Sequence, residues 1–204
     1  MFLRSRSSHS SHAHARLMRL ALLGALGCAV LFTATRVHAA APDEVKTVPE
    51  VDLKQYVGKW YEIGNFPMFF QRKCVSDTTA EYGALPDGKI SVLNRCRTKD
   101  GSFDEADGEA KVVPDSGNAK LKVTFFKPFS GDYWIIGLDP DYKWSVVGSP
   151  DRKYLWILSR TPTLTDAQMA SARQAALDQG YTLDKFRLTP QGQDGANGSP
   201  PAAR

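Results

Sequence analysis

Between Trp60 and Ser159 the chain breaks into short β-rich runs separated by Gly, Pro, Asp and Asn, and no other feature restricts its fold so strongly. Eight such runs lie at 60–66, 77–84, 89–97, 103–113, 119–126, 133–138, 144–148 and 154–159. Most of the joints are tight, among them Pro86-Asp87-Gly88, Lys99-Asp100-Gly101 and Asp139-Pro140-Asp141. Strands joined this way are spatial neighbours, which predicts an antiparallel meander rather than crossovers. Eight strands close into a barrel wide enough for one small ligand. The expected class is all-β: an eight-stranded antiparallel up-and-down β-barrel.

After Arg160 the period changes from two to helical. Pro162 to Asp166 supplies an N-cap, 166–179 is Ala-rich, and Gly180 sits where a helix ends. Leu164, Met169, Ala172, Ala176 and Leu177 form one narrow apolar stripe. One C-terminal α-helix is therefore expected outside the barrel, which accounts for strands 133–138 and 154–159 being apolar on both faces.

Residues 1–41 read as a signal peptide with an extended n-region. Arg16 and Arg19 precede the apolar run Leu20 to Phe32, and small residues follow at Val37-His38-Ala39-Ala40-Ala41. The run is about 13 residues against the roughly 20 of a membrane-spanning helix. A soluble periplasmic protein is expected. Cys28 after Ala25-Leu26-Gly27 leaves an outer-membrane lipoprotein as the alternative. Without its first 38 residues the chain keeps 21 basic residues against 22 acidic ones, so no nucleic-acid partner is expected. The tail 191–204, rich in Gly, Pro and Asn, is expected to be disordered.

Cys74 and Cys96 flank the Pro86-Asp87-Gly88 turn and are placed to meet across a hairpin as a disulfide. Two free thiols are the competing state. All four histidines, His9, His12, His14 and His38, lie in the leader, so the exported domain holds no His-based triad, haem site or zinc site. No cofactor, metal or catalytic residue is expected. The acids Glu62, Glu81, Asp104, Glu105, Asp107 and Glu109 keep carboxylate chemistry open.

Alternation places Ala80, Tyr82 and Ala84, then Ile90, Val92 and Asn94, then Leu121, Val123 and Phe125 on the inner face of the barrel. Tyr133, Ile135, Tyr154 and Trp156 follow on the later strands. The expected ligand-binding set is Ala80, Tyr82, Val92, Asn94, Val123, Phe125, Tyr133, Ile135, Tyr154 and Trp156. The first long joint, 65–73, is apolar and basic; Phe66, Met68, Phe69, Phe70 and Arg72 make it a candidate entrance lid.

Three segments resemble lipocalin motifs. Gly58-Lys59-Trp60-Tyr61-Glu62-Ile63 is similar to the opening G-x-W motif, Asp139-Pro140-Asp141-Tyr142 to the second, and Arg160 in Leu158-Ser159-Arg160-Thr161-Pro162 to the third. The stretch from Gly131 to Pro162 resembles the bacterial, apolipoprotein D-like branch. The resemblance implies a lipocalin domain over 42–190, with Gly58, Trp60, Asp141, Tyr142 and Arg160 as structural residues at a closed end. Arg160 would stack on Trp60 there. The resemblance also implies a small hydrophobic ligand, a fatty acid or lysophospholipid, whose anionic head would meet Arg72, Lys73 or Arg97 at the open end. Peripheral contact with the outer membrane and a monomer or weak dimer complete the expectation. Two alternatives stay open: a lipid- or isoprenoid-processing enzyme using interior carboxylates, with Glu62 opposite a second acid, and an envelope interaction module without a ligand.

Overall fold

The computed structural model describes residues 44–192. Its elements are α1 (Leu53–Tyr56), β1 (Gly58–Asn65), β2 (Cys74–Ala84), β3 (Ile90–Thr98), β4 (Phe103–Val112), β5 (Lys120–Phe126), β6 (Phe129–Leu138), β7 (Trp144–Gly148), β8 (Leu155–Ser159), α2 (Asp166–Asp178) and β9 (Arg187–Leu188). The sheet order is β2-β3-β4-β5-β6-β7-β8-β1-β9, and β1 also pairs with β2, so the eight expected strands close into an antiparallel up-and-down barrel. The expectation missed α1 and β9.

Closure is incomplete along its seam. β1 and β2 pair from Gly58↔Tyr82 to Tyr61↔Thr79. Beyond that β1 turns to β9, with Gly64↔Leu188 and Asn65↔Arg187. Gly64 makes this possible, since a Cβ there would lie 2.5 Å from the Arg187 carbonyl oxygen. Gln191 then bridges the split, its Nε2 donating to Glu62 O at 2.7 Å and Thr78 O at 2.9 Å. Gln191 and Gly192 were expected in a disordered tail; hydrogen bonds to β1 and β2 hold them instead. The leader, with Cys28, and the rest of the tail lie outside the described residues.

The opposite end is plugged. Trp60 is fully buried, and the Arg160 guanidinium lies 3.8 Å from its ring centroid. Arg160 donates to Lys59 O at 3.0 Å, to Tyr56 O at 3.2 Å and to Gln55 O, while Trp60 Nε1 donates to Tyr56 O at 2.8 Å. The Gln55 and Tyr56 carbonyls end α1, where a cation and an N–H donor offset groups without helical partners. Tyr142, at φ 58°, accepts from Asp52 N at 2.9 Å, and Asp139 Oδ1 accepts from Asp141 N at 3.0 Å. The Asp141 and Tyr142 loop thus sits at the closed end, as the motif resemblance implied.

The helix packs where expected. Thr165 and Gln168 form a reciprocal capping box, and Gly180, at φ 77°, follows the last turn. Ala172 and Ala176 are buried against Ile136, Trp144, Val146, Leu155 and Ile157, the outer side chains of β6 to β8. Gly137 permits the approach, since a Cβ there would meet Ala175 at 2.7 Å. Leu177 is a correction: it is 46% exposed, and Ala175 takes its place in the packed face. Cys74 and Cys96 form the disulfide, with Cα atoms 5.4 Å apart. Closing this loop contributes about 3 kcal/mol through restricted chain entropy in the unfolded state.

Trp60 joins the barrel core, α1 and Arg160, so Trp60→Ala is expected to destabilise the fold by about 3 to 5 kcal/mol. Urea denaturation of variant and wild type measures this; a loss below about 1 kcal/mol would show that the plug is not needed.

Candidate functional site

Register fixes which side chains line the lumen. Trp60 stands opposite Ala80, Ala80 opposite Asn94, and Asn94 opposite Ala106. The neighbouring row runs Tyr82, Val92, Gly108. A third runs Ile90, Ala110, Val123, Gly131, and the far wall carries Leu121↔Tyr133 and Ile135↔Val147↔Trp156. The expected parity therefore matches the inner face for Ala80, Tyr82, Val92, Asn94, Val123, Tyr133, Ile135 and Trp156. Phe125 belongs to the same cluster, and its ring occupies the space that a side chain at Gly108 would take, 2.8 Å from a Cβ there. Tyr154 lies just before β8, at the rim, where its ring stacks on Trp156 with centroids 6.0 Å apart.

The lumen is filled at its floor and accessible above. Near α1 a cavity of about 10 Å3, lined by Leu53, Tyr56, Tyr82, Ile90, Leu121 and Tyr133 among others, has room for about one water. Higher up, Asn94, Phe125 and Trp156 point inward yet remain only partly buried, so solvent reaches them. At the floor the Tyr133 hydroxyl bonds those of Tyr56 at 2.8 Å and Tyr82 at 3.0 Å, and Tyr56 continues to Ser145 at 3.0 Å. Burial pushes the Tyr56 hydroxyl up to about 12 and raises Tyr82 and Tyr133 further, so this chain of hydroxyls stays protonated. Tyr56 and Ser145 were missing from the expected lining. Tyr56 lies before the first strand, and Ser145 sits in the doubly buried strand β7, where alternation carries no signal.

The candidate lid divides. Phe66 is buried and packs against Tyr181 under the helix side of the sheet, centroids 6.0 Å apart, so it anchors the loop instead of lining an entrance. Met68 is buried too. Phe69 and Phe70 are 72% and 50% exposed and belong to a 3-10 turn, Phe69–Gln71. Gln71, which sequence reasoning passed over, ties this turn to the lumen: its Nε2 donates to Glu62 at 2.7 Å and its Oε1 accepts from Trp156 Nε1 at 3.4 Å. Phe70, Tyr154 and Trp156 form a continuous aromatic line from rim to interior. Arg72 is exposed at the rim, whereas Arg97 is held by Asp77 at 2.7 Å and lies over Phe103. Lys73 pairs with Asp104 at 2.6 Å.

Glu62 is the buried acid of the site. Its carboxylate accepts from Asn65 at 2.6 Å, Gln71 at 2.7 Å and the Thr189 hydroxyl at 2.5 Å, so its partners are amides and a hydroxyl and include no second acid. Burial raises its pKa, and these three hydrogen bonds only partly offset that. Glu81, Glu105, Asp107 and Glu109 stand at outward register positions, opposite Leu93, Arg95, Leu93 and Ser91.

A raised native pKa means that the folded chain holds the Glu62 proton more tightly than the unfolded chain. Stability from this group is then greatest at low pH and is lost as pH rises from the ordinary carboxylate range through the native value. Glu62→Gln is expected to remove that slope. The stability gap between wild type and variant should move against the wild type from about pH 4 to pH 7. Parallel pH profiles in thermal denaturation would contradict the assignment.

The profile of the Lipocalin-like domain family matches residues 51–191. The chain is 40% identical over 156 residues to temperature-induced lipocalin-1 of Arabidopsis thaliana, covering 72% of this chain and 83% of that protein. It is 38% identical over 170 residues to the outer membrane lipoprotein Blc of Escherichia coli K12, covering 83% and 96%. Among solved structures, insecticyanin from the tobacco hornworm Manduca sexta superposes with a TM-score of 0.62 at 24% identity, over 76% of this chain and 87% of that one, a likeness of fold.

Proposed function

The chain belongs to the lipocalin family, in the branch of Blc and apolipoprotein D, and from that premise we propose that it carries or stores a small hydrophobic ligand in the cell envelope without catalysing a reaction. The ligand class is a fatty acid or lysophospholipid. Binding in the lumen would use Ala80, Tyr82, Val92, Asn94, Val123, Phe125, Tyr133, Ile135, Tyr154 and Trp156. The leader and the outer-membrane relatives support export, with the periplasm as the destination and acylation at Cys28 as the alternative. A monomer or weak dimer suffices, because the lumen lies within one chain.

One observation carries this reading: inward apolar and aromatic side chains remain accessible directly below the Gln71 and Trp156 bridge. Burying about 14 methylenes at ~0.8 kcal/mol each gives roughly 11 kcal/mol gross. At the low end of the association cost, ~4 kcal/mol, about 7 kcal/mol remains, an affinity of about ten micromolar. The floor cavity of about 10 Å3 is far below the roughly 300 Å3 of an ordinary ligand site, so an acyl chain reaching it requires side chains of the lumen to move aside. That narrowness favours the competing reading, a barrel whose interior serves only as core.

The two readings separate in a fluorescent fatty acid displacement assay, with native mass spectrometry of the purified protein to detect co-purified lipid. Saturable one-to-one binding, weakened about tenfold by Trp156→Ala in a folded variant, is expected. Absence of binding, or an affinity indifferent to Trp156→Ala, would reject the carrier.

A further inference from the structure

The rim turn sends one polar side chain into the barrel. Phe69 and Phe70 face water, and Arg72 folds back to donate its Nε to Phe69 O at 2.9 Å, whereas Gln71 reaches the lumen. Its carboxamide fills a place with fixed chemistry. An ionised Glu62 can only accept and the Trp156 Nε1–H can only donate, so a group lying between them must offer a donor to one and an acceptor to the other. Gln71 does both, with Nε2 2.7 Å from Glu62 Oε2 and Oε1 3.4 Å from Trp156 Nε1, and the same amide turned over would satisfy neither. The three donors on Glu62 are not held alike. Asn65 belongs to β1, and Thr189 is fastened to β1 by its own N–H, which donates to Ile63 O at 3.0 Å. Gln71 sits on a three-residue turn outside the sheet, entered at Met68 without a side-chain cap. Of the three it is the one a ligand can displace.

Charge decides what kind of head can take its place. Leu158 of β8 stands opposite Glu62, the segment after β9 brings Thr189 and Gln191, and β2 brings the Thr78 carbonyl that Gln191 also bonds. Tyr82, whose phenol feels the Glu62 charge, is held neutral by burial. Asp77, next to Thr78, already has Arg97 at 2.7 Å, and Lys73 has Asp104 at 2.6 Å. Among the described residues the hydrogen-bond partners of Glu62 thus carry no charge. An ionised head placed there would set a second negative charge against Glu62, and two carboxylates sharing one site hold a proton between them. We propose that Gln71 stands in for the head of the ligand, and that the lumen takes an acyl chain ending in a neutral donor–acceptor group: a primary carboxamide, or a carboxylic acid bound together with one proton drawn from water. The acid would donate its O–H to Glu62 and accept from Trp156. An ionised phosphate offers acceptors only, so it suits Trp156 and not Glu62. Burial already pushes the Glu62 carboxyl up, which favours keeping a proton in the pair. The inference rests on the carrier reading and deepens it by giving the head a place.

The test compares myristic acid, myristamide and methyl myristate on the processed protein, with intrinsic tryptophan fluorescence for affinity and calorimetry in buffers of different ionisation enthalpy for protons. No histidine follows His38, so few other groups titrate near neutrality. Myristic acid is expected to bind with uptake of about one proton and to lose affinity about tenfold per pH unit from about pH 7 to pH 9, while myristamide shows neither effect. The methyl ester, an acceptor without a donor, should bind at least about tenfold more weakly than the amide. Glu62→Gln is expected to abolish the proton uptake, since an amide there can donate to an ionised head, and its retained binding of myristamide shows that the barrel is folded. Gln71→Ala, which vacates the place, should tighten the acid and the amide about fivefold. Binding of the acid without proton uptake, a pH slope shared by acid and amide, or an ester as tight as the amide would each overturn the proposal and leave the carrier standing. Failure of all three ligands to bind would reject the carrier itself.

Discussion

The guanidinium of Arg160 over the Trp60 indole joins the beginning and the end of the barrel chain. Trp60 enters the first strand, and Arg160 leaves the eighth. A cation-π contact of this kind contributes about 0.5 to 2 kcal/mol. Its larger effect is topological, because the same guanidinium holds the last carbonyls of α1 and so fastens the helix that closes the floor. Once that end is fixed, register propagates strand by strand, and the inner face of each strand follows from its neighbour.

The lumen above this plug combines a polar minority with an apolar wall. Four hydroxyls at the floor satisfy one another, which lets tyrosines lie deep without unpaired donors. Glu62, near the rim, is a buried carboxylate without a cation. It links the end of β1, the 3-10 turn and the segment after β9, so the entrance, the seam and the interior meet at one side chain.

Turn residues and period-two alternation made most of the barrel legible, down to the inward parity of Ala80, Val92 and Val123, because each strand from β2 to β5 has one face at the core and one in water. On β6 to β8 both faces are covered, which leaves alternation without a signal for parity there, although the outer helix that covers them is visible in its own period. Short elements stayed hidden. α1 and β9 are four and two residues long and owe their existence to Arg160 and to the β1 edge, partners more than a hundred residues away in sequence. Phe66 was misread for the same reason: a loop of apolar residues does not reveal which of them turn inward to the helix layer. Gln71 carries no apolar signal at all, and only its geometry brings it to the site.

The split seam has an implication for how the molecule is made. β1 comes first of the strands in sequence, yet its upper edge has no partner until Leu188 is in place, and the gap beside Thr78 stays open until Gln191 reaches it. A barrel in which β1 to β8 have paired before β9 docks carries a bare strand edge at Gly64 and Asn65, the kind of feature that invites pairing between molecules. Gln191, at the end of the described residues, is the zipper pull of the seam.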